Sequence, residues 1–278
     1  MTEEKESYWV ILKRREGFNF QELALALSGA LSIPAPDAAA RLRRGWGLLM
    51  KTADPGRAKN FARQLAASGF DTSIIPASSL RPLPPVKKIR KAFLSTRGVT
   101  IADASRGGAG RVSGSGGEIL WRSFTSALVC AGSFFEEEAS GGGKEVLQGG
   151  PGLSDIVKGV AIMAATGMPS FGKLKPKKES AAPRQKLAFY LDIISEAGPE
   201  VFAFRVSGDS FDYSYLEDRK EYSSFLNFRK LAGDVLSFLP WAIRSRGAMA
   251  LGAGAGTGFR YAGRDDYEAE RFWLWQLV

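Results

Sequence analysis

In the first eighty residues, short apolar runs typical of strands alternate with segments whose apolar residues are spaced by three and four, as in helices. This alternation restricts the fold more than any other feature of the sequence. The β-branched and aromatic run Tyr8–Leu12 predicts a strand. After it, apolar residues spaced by three and four predict a helix that begins at an Asn19 cap. The run Ile-Pro-Ala-Pro ends that helix, and Asp37 is expected to cap a short second helix over residues 38–43.

The alternation continues with a second apolar strand run at residues 46–51. Asp54 followed by Pro55 is typical of a helix start, because the aspartate accepts hydrogen bonds from the first turn and proline has no N–H to leave unpaired. We expect this helix to end at Gly69 and residues 70–76 to supply a third strand. The order strand, helix, helix, strand, helix, strand predicts a small βααβαβ sandwich.

The opening strand Trp9-Val10-Ile11-Leu12 and the alanine-rich helix at 57–68, which runs through Gly69 into the last strand, resemble the C-terminal domain of the bacterial ribosomal stalk protein. The resemblance implies the fold of residues 1–77. It does not extend to the ribosomal role, because that family's Gly-Leu-Gly-Leu-Lys-type segment, which contacts translation factors, is replaced here by Ile-Pro-Ala-Pro-Asp at 33–37.

Residues 78–92 are predicted to form a linker, since Pro82, Pro84 and Pro85 favour an extended, semi-rigid path between two domains. No acidic residue occurs between Thr72 and Ala102. A nucleic-acid site in this linker would use its basic residues, which are Lys87, Lys88, Arg90 and Lys91.

Residues 93–278 are rich in predicted strands, with runs at 93–102, 119–131, 187–193, 202–206 and 211–215. A helix capped by Ser224 follows, and the tail from Asp265 is expected to dock as a last helix over the strands. The run Thr-Arg-Gly-Val-Thr-Ile at 96–101, then Ile119-Leu120-Trp121 and the late helix, resemble the bacterial pleckstrin-homology-like domain. The resemblance implies a β-rich barrel closed by C-terminal helices, so the predicted fold class of the whole chain is α+β.

A glycine-rich segment at about 136–186 interrupts these strands and is predicted to be a flexible insertion. An apolar helical patch at 153–167 precedes a polybasic run, a combination typical of a peripheral membrane anchor. The alternative is that the patch packs on the barrel. A binding site for an anionic surface would use the lysines of the run, which are Lys173, Lys175, Lys177 and Lys178.

The absence of histidine, in a chain with one cysteine, excludes several classes of chemistry. Serine–histidine and cysteine–histidine nucleophiles and histidine proton shuttles need an imidazole, and a cysteine metal cluster or internal disulfide needs a second cysteine. Cys130 lies in an apolar run, which favours a buried, unreactive thiol. We predict no catalytic residue, no cofactor-binding residue and no metal ligand.

A non-enzymatic interaction or scaffold protein with two protein-binding modules and an unidentified protein partner agrees best with these observations. The acidic N-terminus and the lack of a run near the roughly 20 apolar residues that cross a bilayer predict a cytoplasmic location. The net charge of +9 leaves two alternatives open, a protein peripheral to the inner membrane through 153–186 and a nucleic-acid-binding protein through the basic linker. No small-molecule substrate is evident.

Overall fold

The computed structural model of this protein describes residues 6–13, 19–102, 118–137, 185–254 and 260–278. Helices and several sheets occur together, which confirms the predicted α+β class. The described residues between 6 and 136 and between 187 and 278 belong to one compact unit, and the predicted boundary near residue 77 lies inside it.

The N-terminal layer follows the predicted order of elements. Its central strand, β1, pairs antiparallel with the two strands that flank it, giving the order β2-β1-β3. The elements are β1 (Tyr8–Leu12), α1 (Phe20–Leu31), α2 (Ala35–Gly45), β2 (Leu48–Thr52), α3 (Pro55–Ala67) and β3 (Thr72–Pro76).

Local signals fix most helix ends in this layer. The Asn19 side chain accepts from the backbone N–H of Gln21, and Asp54 accepts from the first turn of α3, as predicted. Gly69 has a φ of +84°, the left-handed conformation expected of a residue that follows a helix. The predicted start of α2 is wrong. The helix begins at Ala35 rather than after Asp37, because a proline in the first turn loses no hydrogen bond.

The remainder of the described chain adds two sheets and three helices. A five-stranded sheet has the order β11-β8-β9-β10-β4, and a three-stranded sheet has the order β5-β6-β7. No sheet closes into a barrel within the described ranges. The elements are β4 (Lys87–Ile89), β5 (Ala92–Leu94), β6 (Gly98–Ile101), β7 (Glu118–Leu120), β8 (Ser126–Glu137), β9 (Gln185–Ala197), β10 (Glu200–Ser207), α4 (Ser224–Phe238), β11 (Ile243–Arg244), α5 (Arg246–Gly252) and α6 (Arg264–Trp275).

Two predictions for this part need correction. The run at 211–215 was expected to be a strand, but Tyr213–Arg219 consists of short 3-10 turns with a kink at Glu217, where φ is +48°. The aromatic rings there alternate as in a strand, yet Phe211, Tyr213 and Leu216 all enter one core. The cap of α4 is Ser223, one residue before the expected position.

The five-stranded sheet is buried on both faces because alternate residues of its strands enter two different cores. From β8, Leu128 and Cys130 enter the first core, which also contains the helices of the N-terminal layer. Val129 and Ala131 enter the second core, which is completed by α4 and the three-stranded sheet. Cys130 is fully buried, and burial raises the pKa of its thiol well above the ordinary value, as the sequence predicts.

Helix α6 lies between the five-stranded sheet and the N-terminal layer, so the expectation that it docks over the second-domain strands alone is incomplete. Its Trp273 indole donates to the carbonyl oxygen of Leu12 at 2.8 Å. Gly47 allows this approach, since a Cβ at that position would lie 1.9 Å from the Trp273 ring. The contact joins residues 261 positions apart in sequence.

Buried charges fix α6 to the sheet. The Arg205 guanidinium donates to both carboxylate oxygens of Asp192, at 2.7 and 2.6 Å, and Arg271 of α6 donates to the same carboxylate at 2.6 Å. Both arginines also pair with Glu268. We call these four residues the ion cluster. It holds equal numbers of positive and negative charges, as burial of charged groups requires.

The segment predicted as a linker is packed against the C-terminal residues. Arg81 pairs with Glu196, and its guanidinium carbon lies 4.1 Å from the centre of the Trp275 ring. The Trp275 indole donates to the carbonyl oxygen of Pro82 at 3.0 Å. Further along the segment, β4 pairs parallel with β10 as the edge strand of the five-stranded sheet.

Candidate functional site

The basic residues predicted for nucleic-acid binding lie in and beside the edge strand β4. Lys88 and Arg90 are exposed, whereas Lys87 is partly covered. Lys91 pairs with Asp212 at 2.9 Å, and its ammonium group lies 5.7 Å from the centre of the Phe93 ring. The four side chains are therefore spread over a strand and a turn, and one of them is already neutralised.

The residues predicted for an anionic surface, Lys173, Lys175, Lys177 and Lys178, lie outside the described residues. Among the residues that are described, no single helix is long and apolar enough to cross a membrane, although α1 and α2 together, bent by 111°, meet the requirements of length and composition.

A concave surface lined by arginines occurs where α2 meets the N-terminal ends of α5 and α6. It consists of three adjoining hollows of about 680, 370 and 570 Å³. The first two share Arg43 and Asp266, and the first and third share Arg44. We call this surface the arginine groove; its basic residues are Arg41, Arg43, Arg44, Arg246, Arg260 and Arg264.

Three of these arginines come from the last turns of α2. Arg43 and Arg44 occupy the final turn of the helix, where positive charge interacts favourably with the helix dipole. Arg41 lies four residues after Asp37, so the two share one helix face. Leu42 lies between Arg41 and Arg43 and is buried in the first core, so the arginines on either side of it point towards the solvent.

Arg246 is held in place because the residues on either side of it contact the five-stranded sheet. Ser245, the cap of α5, accepts from the backbone N–H of Ala131 at 3.1 Å. Gly247 packs directly on the sheet, since a Cβ there would lie 1.7 Å from the Ala131 carbonyl oxygen. The Arg246 guanidinium carbon then lies 4.0 Å from the centre of the Trp46 ring. Burial lowers the pKa of Arg246, but an arginine remains charged at neutral pH.

Trp46 forms the strained wall of the groove. Its φ of +50° and ψ of −117° are unusual for a bulky residue. The conformation is held by an indole hydrogen bond to the Asp266 carbonyl oxygen at 2.8 Å and by an edge-on contact with the Tyr261 ring, whose centre is 6.0 Å away. Strain of this kind costs of the order of 1–3 kcal/mol and concentrates at functional sites.

The buried carboxylate of Glu270 fixes two further parts of this wall. It accepts hydrogen bonds from the backbone N–H of Arg246 and from the hydroxyl of Tyr261. Burial raises the pKa of Glu270, and the two hydrogen bonds oppose that shift. Burial likewise raises the pKa of Tyr261 well above the ordinary value, so its hydroxyl remains a neutral hydrogen-bond donor.

The charges of the groove are unbalanced. Six arginines line it against three aspartates, Asp37, Asp265 and Asp266, and the buried Glu270 carboxylate interacts electrostatically with Arg246, which leaves a net charge of +2. Asp266 is partly buried, and burial raises the pKa of its carboxyl. Within the described parts of the chain, no salt bridge joins Arg43, Arg44 or Arg260 to a carboxylate. The lining of the groove therefore carries an excess of positive charge, although Arg44 interacts electrostatically with Asp266.

The groove is not among the sites predicted from the sequence, because those predictions rest on two clusters rich in lysine. One local signal was available, the run Arg-Leu-Arg-Arg-Gly at 41–45 at the end of a predicted helix. The other half of the groove comes from three isolated arginines more than two hundred residues further along the chain. In the described ranges, no group of three potential metal ligands is placed to hold a metal ion.

Comparisons with family models, with curated proteins and with solved structures each found no match. The resemblances to the ribosomal stalk domain and to the pleckstrin-homology-like domain therefore stay predictions, and the candidate function depends on the geometry of the groove.

Proposed function

We propose that this chain is a non-enzymatic interaction protein that binds an acidic segment of a partner protein in the arginine groove. The observation that supports this most directly is the unbalanced charge of the concave surface, six arginines against three aspartates. Arginine suits this role because its planar guanidinium donates two parallel hydrogen bonds to a carboxylate.

The aspartates of the groove favour a protein segment over a nucleic-acid backbone. A nucleic-acid strand carries a negative charge at every phosphate and would bring some of them against Asp37 or Asp265. A peptide places its carboxylates individually and can present apolar or basic side chains to the remaining lining. Partly exposed apolar groups, such as Trp9 and Leu48 in the third hollow, would contact such side chains.

A binding role also agrees with the chemistry of the side chains. The polar residues of the groove are arginines and aspartates together with Tyr261, whose hydroxyl is engaged by Glu270. This set offers charge complementarity and rigid walls, which are properties of a recognition surface.

The proposal can be tested by fluorescence anisotropy with a fluorescein-labelled peptide of glutamates and aspartates and a matched peptide of glutamines and asparagines. We expect only the acidic peptide to bind, with an affinity that falls as salt is added. Substituting Arg43→Gln and Arg44→Gln together should weaken binding roughly ten-fold, since two charge-assisted contacts are lost.

The matched control is Arg57→Gln with Arg63→Gln on α3, because these arginines are also exposed but lie outside the groove. Binding of the control variant should stay within about two-fold of the original protein. Equal losses in both variants would show that the response depends on net charge alone and would overturn the proposal. Binding of single-stranded RNA without binding of the acidic peptide would do the same and would favour nucleic acid.

A further inference from the structure

A separate hollow lies at the C-terminal end of α4 and shares no lining residue with the arginine groove. Its volume is about 480 Å³, within the range of roughly 300–1,000 Å³ that small ligands occupy. We call it the tryptophan hollow; the residues that determine its chemistry are Arg97, Trp121, Arg122, Phe238 and Trp241. Among the described residues that line it there are two arginines and no carboxylate.

Trp241 differs from every other tryptophan of the chain in its contacts. The chain has six tryptophans, and five of them donate an indole hydrogen bond or carry a cation over the ring. Trp241 does neither with any residue that the structure describes, and it is 49% exposed. A large aromatic ring that is open to solvent at the rim of a hollow offers a face on which a planar ligand can stack.

The backbone on both sides of Trp241 is fixed. Leu239 and Ala242 are buried, and the N–H of Ala242 donates to the Leu239 carbonyl oxygen at 3.1 Å. The Arg244 guanidinium donates to the Pro240 carbonyl oxygen at 3.3 Å, and β11 then continues the chain along β8. Because the turn is already ordered, a ligand that stacks on this ring pays little for positioning it.

The floor of the hollow is flat and apolar. The Trp121 and Phe238 rings are stacked there, with their centres 5.9 Å apart and their planes 24° apart. The Trp121 indole N–H donates to the Ser95 carbonyl oxygen at 2.8 Å, so it is already used. This floor favours the planar, weakly hydrated part of a ligand.

Arg122 supplies the positive charge of the hollow. It is exposed on the turn Trp121–Ser123, and no salt bridge or side-chain hydrogen bond within the described ranges involves it. Arg97 contributes less, because the Glu118 carboxylate lies 4.0 Å from its guanidinium. Two arginines and the neighbouring Glu118 give a net charge of +1, which matches one phosphodiester group.

Two other occupants agree less well with this geometry. A membrane surface is too broad to enter a concave site of this volume, so a lipid bilayer would contact the rim alone. A proline-rich segment docks in grooves lined by several exposed rings, whereas Trp241 is the one strongly exposed ring among the described lining residues. A neutral segment would also leave Arg122 without a partner.

We infer that the tryptophan hollow binds a nucleotide, whose base stacks on Trp241 and whose phosphate is contacted by Arg122. A free nucleotide and a nucleotide within a single strand of nucleic acid share this chemistry. The site is independent of the arginine groove, where aspartates oppose a phosphate backbone. Discrimination among bases should be weak, because each base presents a π face to the ring.

The test measures binding of a short fluorescein-labelled strand of deoxythymidine by anisotropy. We expect Trp241→Ala to weaken binding about ten-fold and Trp241→Phe to weaken it less, since a phenyl ring still stacks. Arg122→Gln should weaken binding and reduce the slope of log affinity against log salt by roughly 0.7, the value for one phosphate contact of a single strand. Urea unfolding should show that these exposed substitutions leave the protein folded.

The matched controls are Tyr222→Ala, which removes another exposed ring, and Arg57→Gln, which removes another exposed arginine. Neither residue lines the hollow, so binding should stay within about two-fold of the original protein. Losses equal to those of Trp241→Ala and Arg122→Gln would overturn the inference.

The remaining outcomes separate the ligands and the two proposals. Displacement of the strand by thymidine monophosphate at an equal concentration of nucleotide would identify a free nucleotide as the ligand, and no displacement would identify a single strand; both support the site. If neither ligand binds, or if a proline-rich peptide or anionic vesicles bind through Trp241 instead, the inference is wrong. Loss of acidic-peptide binding alone would end the proposed function and leave this site standing.

Discussion

The two faces of the same pair of strands, β9 and β10, are buried in opposite ways. Asp192 and Arg205 are direct partners in the strand register and belong to the ion cluster on one face. The neighbouring register pair, Ile193 and Phe204, lies on the other face and packs into the second core beneath α4. One step along each strand therefore exchanges a charged contact for an apolar one.

The difference indicates how α4 and α6 are attached to the two faces of the five-stranded sheet. Apolar packing on the second face gains free energy from burial and tolerates small shifts of α4. The ion cluster has strict geometric requirements, since Asp192 must meet both Arg205 and Arg271 at 2.6–2.7 Å. We expect the charged face to set the position of α6, and with it the arginine groove, because Arg264 and Asp266 belong to that helix.

The largest loss of stability is expected when the central carboxylate of the ion cluster is removed. Asp192→Ala leaves two arginines, each 6% exposed, without their shared carboxylate. Removing one member of a buried ion pair costs about 3–5 kcal/mol, and in this variant Glu268 alone would have to compensate two buried arginines. Urea unfolding of the purified protein measures the loss. Asp218→Ala, on the exposed surface, is the control and should change stability by less than about 0.5 kcal/mol. Similar values for both variants would contradict a structural role for the cluster.

A smaller loss is expected on the apolar face. Leu231 of α4 is 1% exposed in the second core, and Leu231→Ala should cost about 3 kcal/mol through lost burial and a cavity. Leu226→Ala on the same helix removes the same atoms from a side chain that is 40% exposed and should cost less than about 1 kcal/mol. We further expect Leu231→Ala to leave acidic-peptide binding unchanged in the folded protein, whereas Asp192→Ala should weaken it. Equal effects on binding would remove the distinction between the faces.

The smallest effect is expected from Glu270, which lies on α6 as Glu268 and Arg271 of the ion cluster do. Burial raises the pKa of Glu270, so the folded state binds a proton more tightly than the unfolded state. The free energy of unfolding should therefore fall as the pH rises from the ordinary glutamate value of 4.5 through the raised pKa. Glu270→Gln cannot titrate, so its stability relative to the original protein should rise over that pH interval. Urea unfolding at pH 4 and pH 7 provides the measurement, and a relative stability that is constant or falls with pH would contradict the assignment.

Local signals explain why much of the fold could be predicted. Asn19, Asp54 and Gly69 act through hydrogen bonds and backbone conformations within a few residues, so their effects are visible in the sequence. The alternation along β9 and β10 also identified both strands. It did not reveal that their polar residues are buried, because Asp192 resembles any solvent-facing residue until α6 supplies Arg271.

The features that the sequence does not reveal share a non-local cause. Pro82, Pro84 and Pro85 before β4 are typical of a linker, but β10 provides a partner for Lys87–Ile89, and this pairing depends on residues far along the chain. The groove could not be predicted because Arg43 and Arg260 approach one hollow from opposite ends of the chain. The sequence shows that both residues are charged, but only the tertiary structure shows that they line the same hollow.

The contact between Leu12 and Trp273 has a consequence for synthesis on the ribosome. The N-terminal layer contains its three helices and three strands by residue 76, yet α6 must still be translated before Trp273 can cover β1. Until then, part of an apolar strand that is buried in the finished protein lacks its cover, and such surfaces attract chaperones or other chains. The nascent chain must therefore keep this surface from aggregating through the translation of almost two hundred further residues.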